Sequence, residues 1–485
     1  MPTHDAVVIG SGLGGLTCAA FLARAGMKVA VLEKHSKIGG YAHSFKRKNF
    51  TFESGIHSVP IGGHGIVRHI LRLLDIDTSV ETVELPEIYR AEMPGLSFTM
   101  PARKSNAVDA LKRRFPSEQA AIDRMLETMC EGWRIVEGPK HRFEELFADE
   151  EAAFASRFHN LSYWDYLGGF TKNDDLRLAM ASQWPYGGMS AEHGAALFFA
   201  MMFTSHFTEG SHSVKGGFPA LAAALASVVT AHGGEVVTRQ EAVGLDGTGK
   251  TVTAVRTAQG REFTAPLFIS NISPYRLHND LLDERLRSRL IRRRLGNLNP
   301  AVSSVIVYLG LRDNHGLAFP GLTTFWYDSR DHRTIFDGVL NGDIAAPPRH
   351  LVMLKSLPNP GNETLTLMRF VRQDASNAWK LEKTRIAEAM LDRAEALVPG
   401  LRRDIECMEV GSPDTFERYT ANTGGSLYGF ENTKDLYGEA KLPITTHLEN
   451  LFQTGHWGKP GCSVLNVMVN GYTTYHTIRK LGKVT

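Results

Sequence analysis

The sequence predicts an α/β fold that opens on a strand–helix–strand unit, and three observations lead to it. The apolar run Ala6–Ile9 has the continuous hydrophobic character of a strand buried on both faces of a parallel sheet. A glycine-rich turn and a helix predicted over 16–25 follow, and Gly26 stops the helix. A second β-rich run over 28–32 ends at Glu33, which completes a βαβ unit.

Length and composition define the class of protein. The chain has 485 residues, of which 43% are hydrophobic and 22% charged, so it can bury a large core and is neither disordered nor a disulfide-stapled scaffold. Its net charge of +2 gives no electrostatic case for a nucleic-acid partner. The four cysteines form no CxxC motif, which fits a reducing cytoplasm, and we see no signal peptide. We therefore expect a cytoplasmic protein.

The elements beyond the first unit follow from short apolar runs and turn residues. Residues 104–158 carry helical patterning, and 194–207 form a strongly apolar run. The remaining predictions are a helix over 219–232, short strands over 235–237, 243–245, 252–257, 262–265 and 267–270, strands of a separate sheet over 303–311, 351–357 and 364–370, a long helix over 378–397, a strand over 451–454 and a final helix over 465–480.

The turn after the first strand carries the chemistry. It reads Gly10-Ser-Gly-Leu-Gly-Gly15, and Glu33 ends the next strand, which is the context that a dinucleotide-binding fingerprint requires. Gly10 allows a tight turn, and Gly12 lets the backbone approach a pyrophosphate at the helix N-terminus. Gly15 lets the helix pack closely on the strand. Glu33 can accept hydrogen bonds from an adenosine ribose.

Two further patterns predict no site. Residues 244–251 satisfy the P-loop pattern, but a P-loop opens a helix, whereas 252–257 has the character of a strand, so we predict a hairpin turn there. His57, His64 and His69 are seven and five residues apart, and neither spacing places two ligands on one helix face. We therefore predict no metal site.

Several later motifs carry a resemblance to a known family. They are the Gly39-Gly40 doublet, Glu53-Ser-Gly55, Ser211-His-Ser-Val-Lys-Gly-Gly217, Gly425-Ser-Leu-Tyr-Gly429 and the closing segment Leu451-Phe-Gln-Thr-Gly-His-Trp-Gly-Lys-Pro-Gly461. With the fingerprint, they resemble the branch of the flavin-containing amine oxidase superfamily that holds FAD-dependent phytoene desaturases, carotenoid cis-trans isomerases and retinol saturases. The resemblance is strong at both ends and weak between about 85 and 205.

The resemblance implies a discontinuous Rossmann-type FAD-binding domain, formed by 1–75, 210–275 and 420–485. Residues 76–209 and 276–419 then form a second, substrate-binding domain with a mixed sheet and helices. It implies non-covalent FAD, with Val243 near the adenine and the N-terminus of the last helix aimed at the flavin pyrimidine. The implied cofactor-binding residues are Gly10, Gly12, Leu13, Gly14, Gly15, Glu33, Lys34, Gly39, Gly40, Val243, Gly455, His456, Val464 and Leu465.

One departure lies at the closing segment. Where the family often has a longer glycine-rich sequence, this chain has Pro460-Gly461-Cys462-Ser463. Cys462 is either redox-active beside the flavin or a small passive residue, and the absence of a second cysteine nearby in sequence favours the passive role.

The implied function is FAD-dependent oxidation, reduction or isomerisation of C=C bonds in a long apolar, isoprenoid molecule. Desaturation transfers a hydride from carbon to the flavin, saturation runs the reverse, and isomerisation has no net redox change. Two alternatives stay open: an amine oxidase, and a prenyl carrier of the same fold without flavin, against which the intact glycines argue. The second proton of the reaction can leave or shift through one polar group or through water. The candidates are His57, Tyr428, Glu53 and His456.

A peripheral contact with membranes is also expected, because an apolar substrate resides there. The apolar run over 194–207 is either a tunnel wall, a membrane-dipping segment or an ordinary core helix. A predicted basic helix face opposes Leu282, Leu286 and Leu290, and it either meets anionic lipid or is simply solvated. Its arginines are Arg285, Arg289, Arg292 and Arg293. No protein partner is evident.

Overall fold

The structure is a computed structural model and describes residues 2–63, 65–137, 154, 156–158, 160–342, 346–373, 379–436, 441–459 and 461–484. His64 and Pro460 lie outside the described residues.

A five-stranded sheet holds the N-terminal unit, and its neighbouring strands all pair in parallel. In spatial order they are Leu451–Gln453, Leu267–Ser270, Ala6–Ile9, Val29–Leu32 and Glu235–Val237.

The two faces of the parallel sheet pack against different layers. Val8 and Val31 belong to the core formed with the helices Leu13–Arg24, Pro219–Ala231 and Val464–Lys480. Their neighbours along the strands, such as Val7 and Ala30, belong to a second core under a three-stranded antiparallel sheet. Because alternate side chains point to opposite faces, burial on both faces explains the continuous apolar runs. The strands of the antiparallel sheet are Ala242–Thr248, Thr251–Thr257 and Glu262–Thr264.

The P-loop-like segment lies within this antiparallel sheet. Its first two strands pair directly across the turn at Gly249, which has φ +59°. A strand and not a helix therefore follows Lys250, as the sequence predicts.

A seven-stranded mixed sheet forms the second layered unit. Its central strands are buried along their whole length, and the helix Trp379–Leu397 covers one face. One pair, Thr323–Tyr327 with Glu87–Met93, is parallel and the other pairs are antiparallel. In spatial order the strands are Ile405–Gly411, Ser303–Leu311, Thr364–Val371, His350–Lys355, Thr323–Tyr327, Glu87–Met93 and Leu96–Pro101.

Shorter elements connect the two sheets. Two short antiparallel pairs are Ser44–Arg47 with Phe50–Glu53, which forms a hairpin, and Thr82–Leu85 with Ser211–Val214, whose strands are distant in sequence. None of the described helices is long and apolar enough to cross a membrane. The remaining helices are Ile66–Leu73, Lys104–Arg114, Gln119–Glu137, Tyr163–Gly168, Asp174–Ala181, Ala196–Glu209, Arg289–Gly296, His332–Leu340 and Pro413–Thr420.

The strands of the two large sheets come from different parts of the chain. Every strand of the parallel sheet falls within 1–75, 210–275 or 420–485, and every strand of the mixed sheet falls within 76–209 or 276–419. The predicted two-domain division remains a prediction, and this distribution supports it. The α/β class, with one Rossmann-type parallel sheet and one mixed sheet, is confirmed.

Two features differ from the sequence analysis. The strands Glu87–Met93, Leu96–Pro101, Thr323–Tyr327 and Ile405–Gly411 are not among the predicted ones, although the turn dipeptide Pro94-Gly95 separates the first two and Pro320-Gly321 precedes the third. The predicted basic helix face is also interrupted: Arg287 has extended backbone between a 3₁₀ turn and the helix Arg289–Gly296. Leu290 is therefore not on a buried face with Leu282 and Leu286, and its side chain is 75% exposed.

Candidate functional site

One large cavity lies at the carboxyl ends of the first two parallel strands and extends toward the mixed sheet. Its empty volume is about 1640 Å³, including the part open to solvent. We call the half lined by Gly10, Glu33, Gln240, Asn271 and Arg276 the fingerprint end. The half lined by Tyr41, Gly55, Ile56, Tyr186, Ile306, Met368, Leu427, Tyr428 and Cys462 is the apolar end. The crevice outside the carboxyl ends of parallel strands is where doubly wound sheets bind their ligands.

The glycines of the fingerprint leave backbone facing the cavity. Gly12 is the N-cap of the helix Leu13–Arg24 and supplies no side-chain cap. A Cβ atom at Gly12 would stand 2.7 Å from Asn271 Nδ2, and one at Gly14 would stand 2.9 Å from Gly455 Cα. Gly15 contacts the preceding turn, since its Cβ would lie 2.4 Å from the Gly10 carbonyl oxygen. This uncapped helix N-terminus beside a cavity suits a pyrophosphate.

Glu33 is fixed at the end of the second strand. Its carboxylate accepts hydrogen bonds from Ser11 N at 3.0 Å, Ser11 Oγ at 2.6 Å and His35 N at 2.8 Å. The residue is 8% exposed and lines the cavity. A carboxylate has about four lone-pair sites, so a ribose hydroxyl can still donate to it. Glu33 thus presents a fixed carboxylate with remaining acceptor capacity to the cavity.

Most of the predicted cofactor residues line the cavity. Val243 does not, because the lining ends at Ala242 and the Val243 side chain is 43% exposed. Gly15 and Leu465 are outside the lining, and Leu465 is buried in the adjoining core. The predicted residues within the lining are Gly10, Gly12, Leu13, Gly14, Glu33, Lys34, Gly39, Gly40, Gly455, His456 and Val464.

Three tyrosines shape the apolar end, and their hydroxyl groups are all engaged. Tyr41 donates to the Ser426 carbonyl at 2.9 Å, Tyr186 to the Ile88 carbonyl at 2.6 Å, and Tyr428 to the Pro185 carbonyl at 2.8 Å. Burial raises the pKa of Tyr41 and of Tyr186 to about 12, and it raises the pKa of Tyr428 well above its ordinary value. The rings are therefore held in place and stay uncharged, as a hydrophobic ligand requires.

The structure brings two of the four catalytic candidates to the cavity. His456 and Tyr428 line it, and His456 Nε2 lies 3.2 Å from Asn422 Oδ1. Burial lowers the pKa of His456 to about 3, so its imidazole is neutral at pH 7. His57 lies outside the lining, with its ring stacked on Tyr186 at 5.3 Å between centroids. Glu53 also lies outside the lining.

The carboxyl group of Glu53 has a raised pKa, which predicts that the stability of the protein depends on pH. Burial raises the pKa of its carboxyl from 4.5 to about 7, although the Phe218 N–H donates to it at 3.4 Å. The folded state therefore binds this proton more tightly than the unfolded state, and stability falls as pH rises from about 4.5 to about 7. We expect Glu53→Gln to be more stable than the parent at pH 8 by about 1–3 kcal/mol and equally stable at pH 4.5.

Urea unfolding of the flavin-loaded protein at the two pH values tests this prediction. Glu262→Gln, which changes an exposed glutamate on the antiparallel sheet, is the matched control and should leave stability unchanged at both. Equal stabilities of Glu53→Gln and the parent at pH 8 would contradict the prediction.

Sequence reasoning did not find several residues that line the cavity. Asn271 directly follows the buried strand Leu267–Ser270, and this position was the available signal for it. Tyr41 directly follows the Gly39-Gly40 doublet, and the others belong to the mixed sheet or to loops, where no local pattern marks them. The residues missed besides Asn271 are Tyr41, Tyr186, Gln240, Ile306, Met368 and Asn422.

Among the described residues, no group of three or more His, Cys, Asp or Glu side chains is arranged to hold a metal ion. His64 lies outside the described residues.

This chain is similar to a protein family of known cofactor and to several enzymes. The family model described as flavin containing amine oxidoreductase matches residues 13–466. All-trans-retinol 13,14-reductase of Danio rerio is 25% identical over 93% of this chain and 82% of its own length. A 4,4'-diapophytoene desaturase of Methylomonas sp is 23% identical over 86% and 83%, and a chloroplastic prolycopene isomerase of an Oncidium hybrid cultivar is 25% identical over 98% and 84%.

A solved structure has the same fold. An oxidoreductase from Methanosarcina mazei superimposes with a TM-score of 0.68 at 16% identity, covering 97% of this chain and all of that one. At this identity the likeness concerns the fold alone.

Proposed function

The chain belongs to the flavin containing amine oxidoreductase family and uses FAD, and from this premise we propose that it acts on C=C bonds of a long apolar, isoprenoid polyene. The observation that carries the proposal is the shape of this cavity. It joins a dinucleotide fingerprint to an apolar end whose tyrosine hydroxyls are engaged with backbone carbonyls. Such a site can hold a cofactor at one end and an uncharged chain at the other.

The fingerprint end fits the adenosine half of FAD. The N-terminus of the helix Leu13–Arg24 would face the pyrophosphate of bound FAD, and Glu33 would accept a hydrogen bond from its ribose. Arg276 lies at the same end, with its guanidinium 3.6 Å from Glu241. Gly455, Ser463 and Val464 line the wall between the two ends, where the flavin would lie. FAD, when bound, supplies hydride transfer at flavin N5.

The charges around the cavity favour an apolar substrate over an amine. Glu33 and Glu241 are the carboxylates among the described lining residues, and both lie at the fingerprint end. An ammonium substrate would therefore find no carboxylate beside it at the apolar end. The named relatives act on retinol, diapophytoene and prolycopene, which are polyenes or their isoprenoid precursors.

Turnover assays with the FAD-loaded protein separate the three candidate functions. Anaerobic incubation with retinoid and carotenoid polyenes, and with putrescine, is followed by flavin absorbance and by product spectra. A polyene product without putrescine oxidation is the expected result. Oxidation of putrescine alone would make the protein an amine oxidase, and purified protein without flavin would make it a carrier.

We also propose that the protein reaches its substrate by contacting membranes peripherally. The exposed Leu290 lies on the helix Arg289–Gly296 among three exposed arginines, Arg289, Arg292 and Arg293. An apolar side chain within a basic patch suits an anionic lipid surface, where each arginine contributes about 1 kcal/mol.

We expect flotation with phosphatidylserine vesicles at low salt, and none with phosphatidylcholine vesicles. The double substitution Arg289→Glu and Arg293→Glu should lower the floated fraction by about tenfold or more. Lys434→Glu, at an exposed lysine outside the helix Arg289–Gly296, is the control and should float like the parent. Parent protein that remains wholly in the aqueous fraction at low salt would contradict the prediction.

A further inference from the structure

A buried lysine lies directly behind the cavity wall. Lys441 is 1% exposed, and its Nζ donates to Asn432 Oδ1. Asn432, itself fully buried, donates from Nδ2 to Cys462 Sγ at 3.5 Å. Cys462 lines the apolar end. One asparagine therefore connects the lysine to the wall.

The wall and the ammonium group are also close through the backbone. A Cβ atom at Gly461 would stand 2.6 Å from Lys441 Nζ, and Gly461 has φ +120°. A side chain at this position would displace the lysine or the turn. The glycine thus brings the turn before Cys462 against a buried amine.

Lys441 carries its charge under physiological conditions. Burial lowers the pKa of its amine to about 8, so most molecules are protonated at pH 7. Arg294 donates from Nη2 to the Lys441 carbonyl at 3.1 Å, and His456, whose pKa burial lowers to about 3, is neutral. Lysine is among the residues that are almost never fully buried unless paired, so this position is an informative one.

The last helix begins at the same part of the wall. Ser463 is its N-cap, with φ +97° and a side chain that accepts from Asn466 N at 3.1 Å. Val464 and Val467 line the cavity, so the positive end of the helix dipole faces it. Two positive features, the helix N-terminus and the Lys441 ammonium, converge where the cavity passes from the fingerprint end to the apolar end.

We propose that Lys441 is a positioning residue that raises the reduction potential of the bound flavin by holding a positive charge behind its pyrimidine edge, through Asn432 and Cys462. Uptake of a hydride adds two electrons and one proton to oxidised FAD and leaves the reduced ring with a net negative charge on that edge. A nearby cation stabilises this charged product more than the neutral oxidised ring. The inference rests on the flavin placement given under the proposed function.

The test is the flavin potential, measured by anaerobic titration against a reference dye, with FAD content determined in the same samples. Lys441→Met keeps the length of the side chain and removes the charge. It should shift the two-electron equilibrium toward oxidised flavin at least tenfold, or about 30 mV. The dissociation constant of the flavin–sulfite adduct, which also bears negative charge on the ring, should rise at least tenfold.

Asn432→Asp provides a second, nearly isosteric variant. It keeps a hydrogen-bond acceptor for Lys441 and adds a compensating negative charge, so it should move both measurements in the same direction. Lys434→Met, the same substitution at an exposed lysine nearby in sequence, should change neither.

Unchanged potential and sulfite affinity in FAD-loaded Lys441→Met would overturn the proposal. So would loss of FAD from Lys441→Met together with an unchanged potential in Asn432→Asp. A shifted potential in protein that turns over no polyene would instead leave this inference standing and remove the proposed substrate.

Discussion

Gly12→Val should bind FAD about a hundredfold more weakly than the parent protein, or not at all. Gly12 caps the helix Leu13–Arg24 at the cavity, and even a single added Cβ would stand 2.7 Å from Asn271 Nδ2. The two further methyl groups of valine would fill the space in which the helix N–H groups meet the pyrophosphate. Flavin absorbance of the purified variant, and its titration with added FAD, measure the effect.

Two checks accompany this experiment: one measures the fold of the variant, and the other is a substitution in the P-loop-like turn. Asn271 is a side chain that can turn away, so the variant should keep its circular dichroism spectrum while it loses flavin. Lys250→Ala alters the P-loop-like hairpin turn and should leave flavin content and turnover unchanged. A full flavin spectrum in Gly12→Val, or a large loss in Lys250→Ala, would show that the cofactor site lies elsewhere.

His456→Leu should keep its FAD and lower turnover by about 10²- to 10⁴-fold. His456 lines the cavity, and its neutral imidazole can take up or release a proton there. Hydride loss from a polyene leaves an allylic cation, and the neighbouring C–H of that cation is a far stronger acid than an imidazolium of pKa about 3.

Tyr428→Phe is the matched control for His456→Leu. Tyr428 also lines the cavity, but its hydroxyl donates to the Pro185 carbonyl, and burial raises its pKa well above the ordinary value. We expect a change in turnover of severalfold at most. Normal turnover in His456→Leu with full FAD content would remove His456 from the proton pathway. Transient flavin reduction by a polyene substrate, followed by stopped flow, separates the chemical step from binding.

The sequence by itself determined the parts of the protein whose physics is local. The strand Ala6–Ile9 is buried on both faces and is therefore uniformly apolar, and the fingerprint turn needs glycines at fixed spacing because backbone must approach an anion. Glu33 follows from the end of the next strand. The hairpin at Gly249 could be distinguished from a P-loop because a strand follows it. These features gave the fold class and most of the fingerprint end.

Only the tertiary structure decided the apolar end and the groups behind its wall. Tyr186, Ile306 and Met368 come from three separate segments of the chain and line one cavity. No short-range sequence pattern could predict that they lie close together. The same holds for Lys441. Nothing in the sequence distinguishes it from the other lysines, and only its packing against Asn432 and Gly461 shows that it is buried. Burial and neighbouring groups set the charge and pKa of a side chain, and both depend on contacts between residues far apart in the chain.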